Sequence, residues 1–423
     1  MKNLVILGAG TGGTIVANGA AKRLPRDWSV TVIDPDVNHL YQPGLLFLPF
    51  GIYDESKLWR PRGKTLRRGV RWLQERVEAI DAGNREVIAG STRVPYDLLV
   101  IASGSRIRPD LMEGMLDGDW QKRIFDFYTP DGAKKLRDAL STFREGRVVV
   151  NVVDMPIKCP VAPLEFLFLA DAHFRRRGLR HRVELVYATP LDSAFTKPAC
   201  SRVLGSMLDD HDIKLETEFN AGAVDGQRHV LRSWDEREID YDLLVTIPSH
   251  SGAEFIETSG LGNDAAFVPT DKETLLAKGH DDIFVIGDAT DVPASKAGSV
   301  AHFEGHVVLE NILHAVRGET PVPSFDGHTN CFIETGDRKA ILIDFNYATE
   351  PLPGTYPLST FGPMSLLKES LINHLGKLAF RWLYWNVLLP EWPMPISNRM
   401  SMAGKRPVTA PKGDLYVAAN VRR

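Results

Sequence analysis

The chain is poor in cysteine, with three in 423 residues, at Cys159, Cys200 and Cys331. So sparse and odd a set excludes a secreted disulfide scaffold, and any bond between two of them is expected to be chemical rather than structural. It also lacks charge of one sign. Lys and Arg number 50 against 54 Asp and Glu, a formal net charge of −4, so no overall field draws it to nucleic acid, and no such partner is expected. It lacks a long apolar run as well: no window holds the ~18 uninterrupted apolar residues of a membrane-spanning helix, so the chain can lie on a bilayer but is not expected to cross one. Met1-Lys2-Asn3 enters Leu4-Val5-Ile6-Leu7 without a basic stretch and cleavage site, and no secretory leader is expected. No residue is assigned to a metal. What remains is an ordinary globular composition, 43% hydrophobic and 25% charged, long enough for two or three packed units.

The first thirty-odd residues have the order of a nucleotide-binding βαβ unit. A short strand, Asn3 to Leu7, enters Gly8-Ala9-Gly10-Thr11-Gly12-Gly13; a helical stretch, Thr14 to Arg23, follows, then a strand from Ser29 to Ile33 that ends at Asp34. Gly8 suits the tight turn, Gly10 admits a pyrophosphate against the backbone, and Gly13 lets the helix pack closely on the strand. The helix N-terminus then faces the phosphates, and Asp34 is placed to accept hydrogen bonds from a ribose.

A near repeat points to two similar α/β units. Tyr96-Asp97-Leu98-Leu99-Val100 recurs as Tyr241-Asp242-Leu243-Leu244-Val245, each after a charged, strand-like meander. The first copy continues into Ile101-Ala102-Ser103-Gly104, small enough for backbone to approach a cofactor. The middle unit opens on the buried strand Arg147 to Val153, but the turn after it, Asp154-Met155-Pro156-Ile157-Lys158-Cys159-Pro160, has no glycine. A second dinucleotide such as NADH would want a glycine-rich turn there, so its absence argues against NAD(P)H as reductant. A further strand, Asp282 to Ile286, ends in Gly287-Asp288-Ala289-Thr290. Asp288 can hold a ribityl or ribose hydroxyl, and the helix N-terminus near Lys296-Ala297-Gly298 can stabilise negative charge on a reduced ring.

These residues resemble the two-dinucleotide-binding-domain flavoproteins, with GAGTGG near the start, ASG closing the first half, and GDA beyond the second unit. Within that superfamily, Pro156 to Glu165 is similar to the cysteine loop of the sulfide:quinone oxidoreductases and of flavocytochrome c sulfide dehydrogenase, as is the late cysteine in Thr329-Asn330-Cys331-Phe332-Ile333-Glu334. Ser295-Lys296-Ala297-Gly298 is similar to the family's Pro-Lys-Thr-Gly with two substitutions. The resemblance implies FAD as cofactor, with contacts at Gly8, Ala9, Gly10, Thr11, Gly12, Gly13, Asp34, Val77, Ser103, Gly104, Gly287, Asp288, Lys296 and Gly298. It implies Cys159 and Cys331 as a redox pair beside the flavin, where sulfide attacks a disulfide or persulfide and the released thiolate passes two electrons on. Glu165 resembles a family acid that could shuttle protons, and a solvated or capping acid is the alternative. Cys200 reads as a small buried hydrophobe. Where many family members carry a further cysteine, Phe125 to Thr129 has none.

Residues Ser365 to Leu389 read as an amphipathic helix. Leu371, Leu375, Leu378, Trp382, Trp385 and Leu389 share one face, and Asn373, Lys377 and Arg381 the other. A Trp- and Leu-rich face beside basic residues suits the membrane interface, while a core helix packed on the flavin domain is the alternative. Phe332, Tyr347 and Phe361 are candidates for an apolar quinone slot. The fold expected is α/β: two tandem Rossmann-like domains and a C-terminal amphipathic, membrane-associating region. Residues 1–110 and 266–330 form the FAD-binding domain, 111–265 the second Rossmann-like domain, 331–396 the C-terminal region, and 397–423 an irregular tail. The expected partners are sulfide, quinone and a membrane surface, in a peripheral, monotopic location, and a homo-oligomer is allowed. The competing readings are a type II NADH:quinone dehydrogenase, the flavoprotein subunit of a flavocytochrome c, and a flavin-bearing sensor.

Overall fold

The computed structural model describes residues 1–357, 362–394 and 397–407. Its frame is two parallel five-stranded sheets of matching order. The first runs Ile283–Val285, Leu98–Ile101, Lys2–Leu7, Trp28–Ile33 and Val70–Leu73; the second runs Ile124–Phe125, Leu243–Ile247, Gly146–Val152, Val183–Ala188 and Ile213–Glu216. The repeated Tyr-Asp-Leu-Leu-Val segments occupy equivalent places, each strand pairing in parallel with the opening strand of its sheet, Leu98 beside Leu4 and Leu243 beside Val148. Each unit also carries a three-stranded antiparallel sheet, from Val77–Asp81 to Thr92–Pro95 and from Ala221–Asp225 to Glu238–Asp240.

Parallel sheets covered on both faces need strands that are apolar throughout, and Leu4 to Leu7 and Val148 to Val150 are fully buried. On the first sheet the helix Thr11–Arg23 packs against the long helix Gly298–Val316. On the second, the helix Ala162–Arg176 directly follows the cysteine loop, and its buried face carries Phe166, Leu167, Phe168 and Phe174.

The chain then leaves the two sheets for an antiparallel hairpin, Thr329–Gly336 with Lys339–Phe345, extended by the short strands Met364–Leu366 and Gly354–Tyr356. The amphipathic helix spans Leu371–Leu383 and continues through a π turn at Tyr384–Leu388. It starts later than the sequence suggests because Met364–Leu366 is a strand and Ser370 caps the helix through the Asn373 N–H.

Its faces are also assigned differently from the simple amphipathic reading. Asn373 is fully buried, its amide donating to the carbonyls of Ala340, Ser365 and Lys368. Lys377 also points inward, whereas Leu371, Ile372, Leu375 and Trp382 are exposed, Trp382 to 65%. Trp385 and Leu389, placed on that same apolar face by spacing, are buried because the π turn rotates the helix end into the core. The helix is therefore packed in part by its polar stripe, with Leu371, Leu375 and Trp382 of its apolar stripe turned outward.

Candidate functional site

The first half of the site is the turn after Leu7. Gly8 has φ +93°, and a Cβ on Gly13 would lie 2.0 Å from the Gly8 carbonyl oxygen, so only glycine closes this strand-to-helix turn. Nothing stands within 4 Å of where a Cβ on Gly10 would be, which leaves the helix N-terminus open to a ligand. Gly12 packs on Ile286. Asp34 is held by the Ala9 N–H at 2.6 Å, the Asp36 N–H at 2.9 Å and the Arg62 guanidinium at 3.0 Å. Burial pushes its carboxyl up, and Arg62 works against that. Arg62 also donates to the carbonyls of Ala9, Asp36 and Asn38, which makes it the clamp of this turn. The Thr11 hydroxyl meets the Tyr384 hydroxyl at 2.9 Å, and Tyr384 in turn meets His39 at 2.6 Å, tying the C-terminal segment to the turn.

Across the first sheet, the Ser103 hydroxyl is buried without a partner among the described residues, the state expected of a group that waits for a ligand. The space at Gly104 and Gly298 is likewise open, and Gly298 begins the 19-residue helix. The Gly287 N–H donates to Glu304 at 2.5 Å, and burial raises the Glu304 carboxyl to about 8. Asp288 lies 3.3 Å from the Ser105 hydroxyl, and Lys296 reaches back to the carbonyls of Asp288 and Thr290. Val77 sits in the antiparallel sheet, paired with Ala89. An orphaned hydroxyl, open glycines and a free helix N-terminus fit a dinucleotide lying across this edge.

The second half is a cluster of side chains, called the chamber below, around two partly buried thiols. Cys159 has φ +47°; its N–H donates to the Lys296 carbonyl at 2.6 Å, and its carbonyl accepts from the Ala162 N–H, so the cysteine loop is stitched both to the Lys296 stretch and to the helix that follows. Cys331 lies on the hairpin, opposite Ile343. Cys159, Cys200 and Cys331 are free thiols. Cys200 is fully buried in the second-sheet core.

Glu165, in the first turn of the helix after the cysteine loop, is buried rather than solvated. It accepts from the Glu334 N–H at 2.7 Å and from the Lys377 ammonium, which also donates to the Phe332 carbonyl at 3.0 Å. Glu334 is paired with His374 at 2.9 Å. Burial raises both the Cys159 and the Cys331 thiol, Cys331 to about 12, and Glu165 adds to this, while Lys377 pulls both down. Burial also lowers Lys377, but Glu165 and Glu334 outweigh it and keep the ammonium charged. The chamber thus holds two thiols that are costly to ionise, one buried carboxylate and one cation placed to make thiolate affordable.

Lys377 and Arg62 escape a reading by sequence pattern. Lys377 lies 212 residues from Glu165, and only the inward turn of the polar stripe brings them together. Asn373, Lys377 and Arg381, a polar stripe with no acid in it, are the one signal that could have flagged that face. Tyr128 and His250 also border the chamber, their rings edge to face at 5.4 Å, with the Tyr128 hydroxyl and the His250 Nε2 both buried and unpartnered. Of the aromatic candidates, Phe332 lies against Gly376 of the C-terminal helix. Tyr347 instead has Phe325, Gly327 and Lys272 as neighbours in the first-sheet core. Phe361 lies outside the described residues.

Residues 2–151 match the family model described as pyridine nucleotide-disulphide oxidoreductase. Mouse mitochondrial sulfide:quinone oxidoreductase is 27% identical over 394 residues, covering 91% of this chain and 86% of that protein. The mitochondrial sulfide:quinone oxidoreductase of Dictyostelium discoideum is 25% identical and covers 93% of this chain and 90% of its own length. The chain is a relative of the sulfide:quinone oxidoreductases. The solved sulfide:quinone oxidoreductase of Aquifex aeolicus shares the fold, with a TM-score of 0.77 at 19% identity over 91% of this chain and 92% of that one.

Proposed function

We propose that the chain is an FAD-dependent sulfide:quinone oxidoreductase, oxidising sulfide to polysulfide or elemental sulfur through Cys159 and Cys331 and passing the electrons to a membrane quinone. The observation that carries the reading is the chamber itself: two cysteines from separate segments share one buried carboxylate and one inward-pointing lysine beside the open dinucleotide edge. That arrangement suits sulfur chemistry, because it stabilises a transient thiolate without leaving a permanent one exposed to oxidation.

The chemistry balances in two halves. Hydrosulfide attacks a bond between the two cysteine sulfurs; one sulfur leaves as thiolate and the other becomes a persulfide. The two electrons are released when the thiolate and the persulfide rejoin through the added sulfur, and a bound flavin would accept them and pass them to quinone, which gains two protons to become quinol. In the first half, Lys377 offsets the charge of the leaving thiolate. Glu165, raised by burial, accepts and returns the sulfide proton within the chamber. At the first-sheet edge, Gly8 to Gly13 would take the pyrophosphate and Asp34 a ribose, with Asp288, Lys296 and the Gly298 helix start on the flavin side.

The outward apolar stripe of the C-terminal helix supports monotopic attachment. Leu371, Ile372 and Leu375 are each close to half exposed, Trp392 is 61% exposed, and among the described residues no helix is long and apolar enough to cross a membrane. The helix that offers this stripe outward carries Lys377 inward, so a lipid-dissolved quinone is separated from the chamber by a single helix, with Phe332 at the contact. We further take residues 1–110 with 266–330 as the FAD domain.

Steady-state assay with sulfide or NADH as donor and a soluble quinone as acceptor tests the assignment. Turnover with sulfide and none with NADH is expected. Turnover with NADH alone would move the chain to the NADH:quinone dehydrogenases.

A further inference from the structure

Outside the chamber, a cavity of about 290 Å³ lies where the C-terminal helix meets the segment Ser56 to Arg60. Its lining joins three cations, Lys57, Arg60 and Arg381, with three indoles, Trp59, Trp382 and Trp385. No carboxylate is among the lining residues. Lys57 shares its charge with Asp54 at 3.4 Å, but among the described residues no carboxylate lies within ion-pair distance of Arg60 or Arg381.

The two guanidiniums are held by other means. Arg60 lies over the Trp385 ring at 4.7 Å and reaches the Trp385 carbonyl at 3.5 Å; Arg381 lies over the Tyr53 ring at 4.5 Å. Stacking fixes each fork without using up its donors. Among the described residues Arg381 even keeps a buried Nη1 with no partner, a costly state for a charged donor unless an acceptor arrives. The cavity opens beside Trp382, the most exposed residue of the outward apolar stripe, and so at the level where a bilayer would present its headgroups.

We infer that this cavity is a binding site for the headgroup of an anionic phospholipid. The phosphodiester would accept from Arg60 and Arg381, with Lys57 at the rim, while the acyl chains run along Leu375 and Trp382. The inference rests on the membrane attachment proposed above. A quinone headgroup, being neutral, would leave three cations without a counter-charge, whereas a lipid phosphate supplies one and offers the paired oxygens that guanidinium forks bind best. The site would make attachment selective for charged lipid, and it would hold the helix that carries Lys377 at a set depth.

Vesicle flotation of the full-length flavin-loaded protein tests this, with vesicles of phosphatidylcholine alone and of phosphatidylcholine mixed with phosphatidylglycerol. The variant Lys57→Gln/Arg60→Gln is compared with Lys2→Gln/Arg26→Gln, which removes the same charge at the opposite, amino-terminal edge of the first sheet. Flavin content and turnover with a soluble quinone report that each variant is folded. Wild type is expected to prefer the anionic vesicles, and the cavity variant to lose about 25-fold in affinity for them, about fivefold per cation. The control variant should stay within about twofold of wild type. Equal binding of wild type to both vesicle types, or an equal loss in the two variants, would overturn the headgroup site while leaving membrane attachment standing. Binding to neither vesicle type would remove both.

Discussion

The turn after Leu7 and the turn after Val152 occupy the same place in two sheets of the same order, yet they are built for opposite purposes. The first is emptied: Gly8 takes a left-handed φ, Gly13 closes on it, and the space at Gly10 stays open. The second is filled: Pro156, Lys158 and Cys159 replace the glycines, and Cys159 is itself bent to φ +47° and bonded to the Lys296 carbonyl. Topology alone therefore does not decide what a Rossmann-like unit binds. The turn chemistry decides it, and here a site that would serve a second dinucleotide has become the wall of a thiol chamber.

The comparison breaks most completely at Gly13. Gly13→Val places side-chain carbon against the Gly8 carbonyl, and purified protein should lose its flavin absorbance altogether; retention of the flavin would show that the emptied turn is not what admits it. Next comes Glu304, on the open side. Its folded carboxyl, raised to about 8, stays protonated where the unfolded chain has already ionised, so the native state binds the extra proton between about pH 4.5 and 8. Stability conferred below that window is lost as pH rises through it, by about 5 kcal/mol in total, and denaturant titrations should show the slope reduced by that contribution in Glu304→Gln. A slope unchanged in the variant would assign it to another group.

The filled side answers to Lys377. Without its charge both thiols rise further, so Lys377→Met should slow flavin reduction by sulfide about 100-fold and displace the rate profile to higher pH. A uniform loss at all pH values would point to packing instead. The smallest effect is expected at Asn373, whose three carbonyl contacts seat the helix that delivers Lys377. Asn373→Ala should cost about 2 kcal/mol in stability and lower turnover only modestly, and an unchanged melting temperature would mean those contacts are not what seats the helix.

The emptied turn was legible in the sequence because glycine at fixed spacing has few other uses, and the paired sheets were legible because Tyr-Asp-Leu-Leu-Val recurs. The cysteine loop was legible by resemblance. Lys377 was not, because a hydrophobic pattern locates two faces of a helix without saying which one points in. Most soluble helices bury the apolar one, and Leu371–Leu383 buries Asn373 and turns Lys377 inward instead. Arg62 escaped for a plainer reason: no spacing or neighbour sets it apart from the other arginines of that basic stretch. Tyr128 and His250 stand out only through what they lack in the folded chain, a partner for each buried polar atom.

The central claim, that the cysteines of the filled turn and the hairpin jointly feed electrons to a flavin held at the emptied one, is tested most directly by mixing sulfide anaerobically with the flavin-loaded protein and following the flavin absorbance in wild type, Cys159→Ser and Cys331→Ser. Rapid bleaching in wild type, and loss of it by about 1000-fold or more in each variant with flavin content unchanged, is the predicted result. Bleaching at the wild-type rate in either variant would contradict the account.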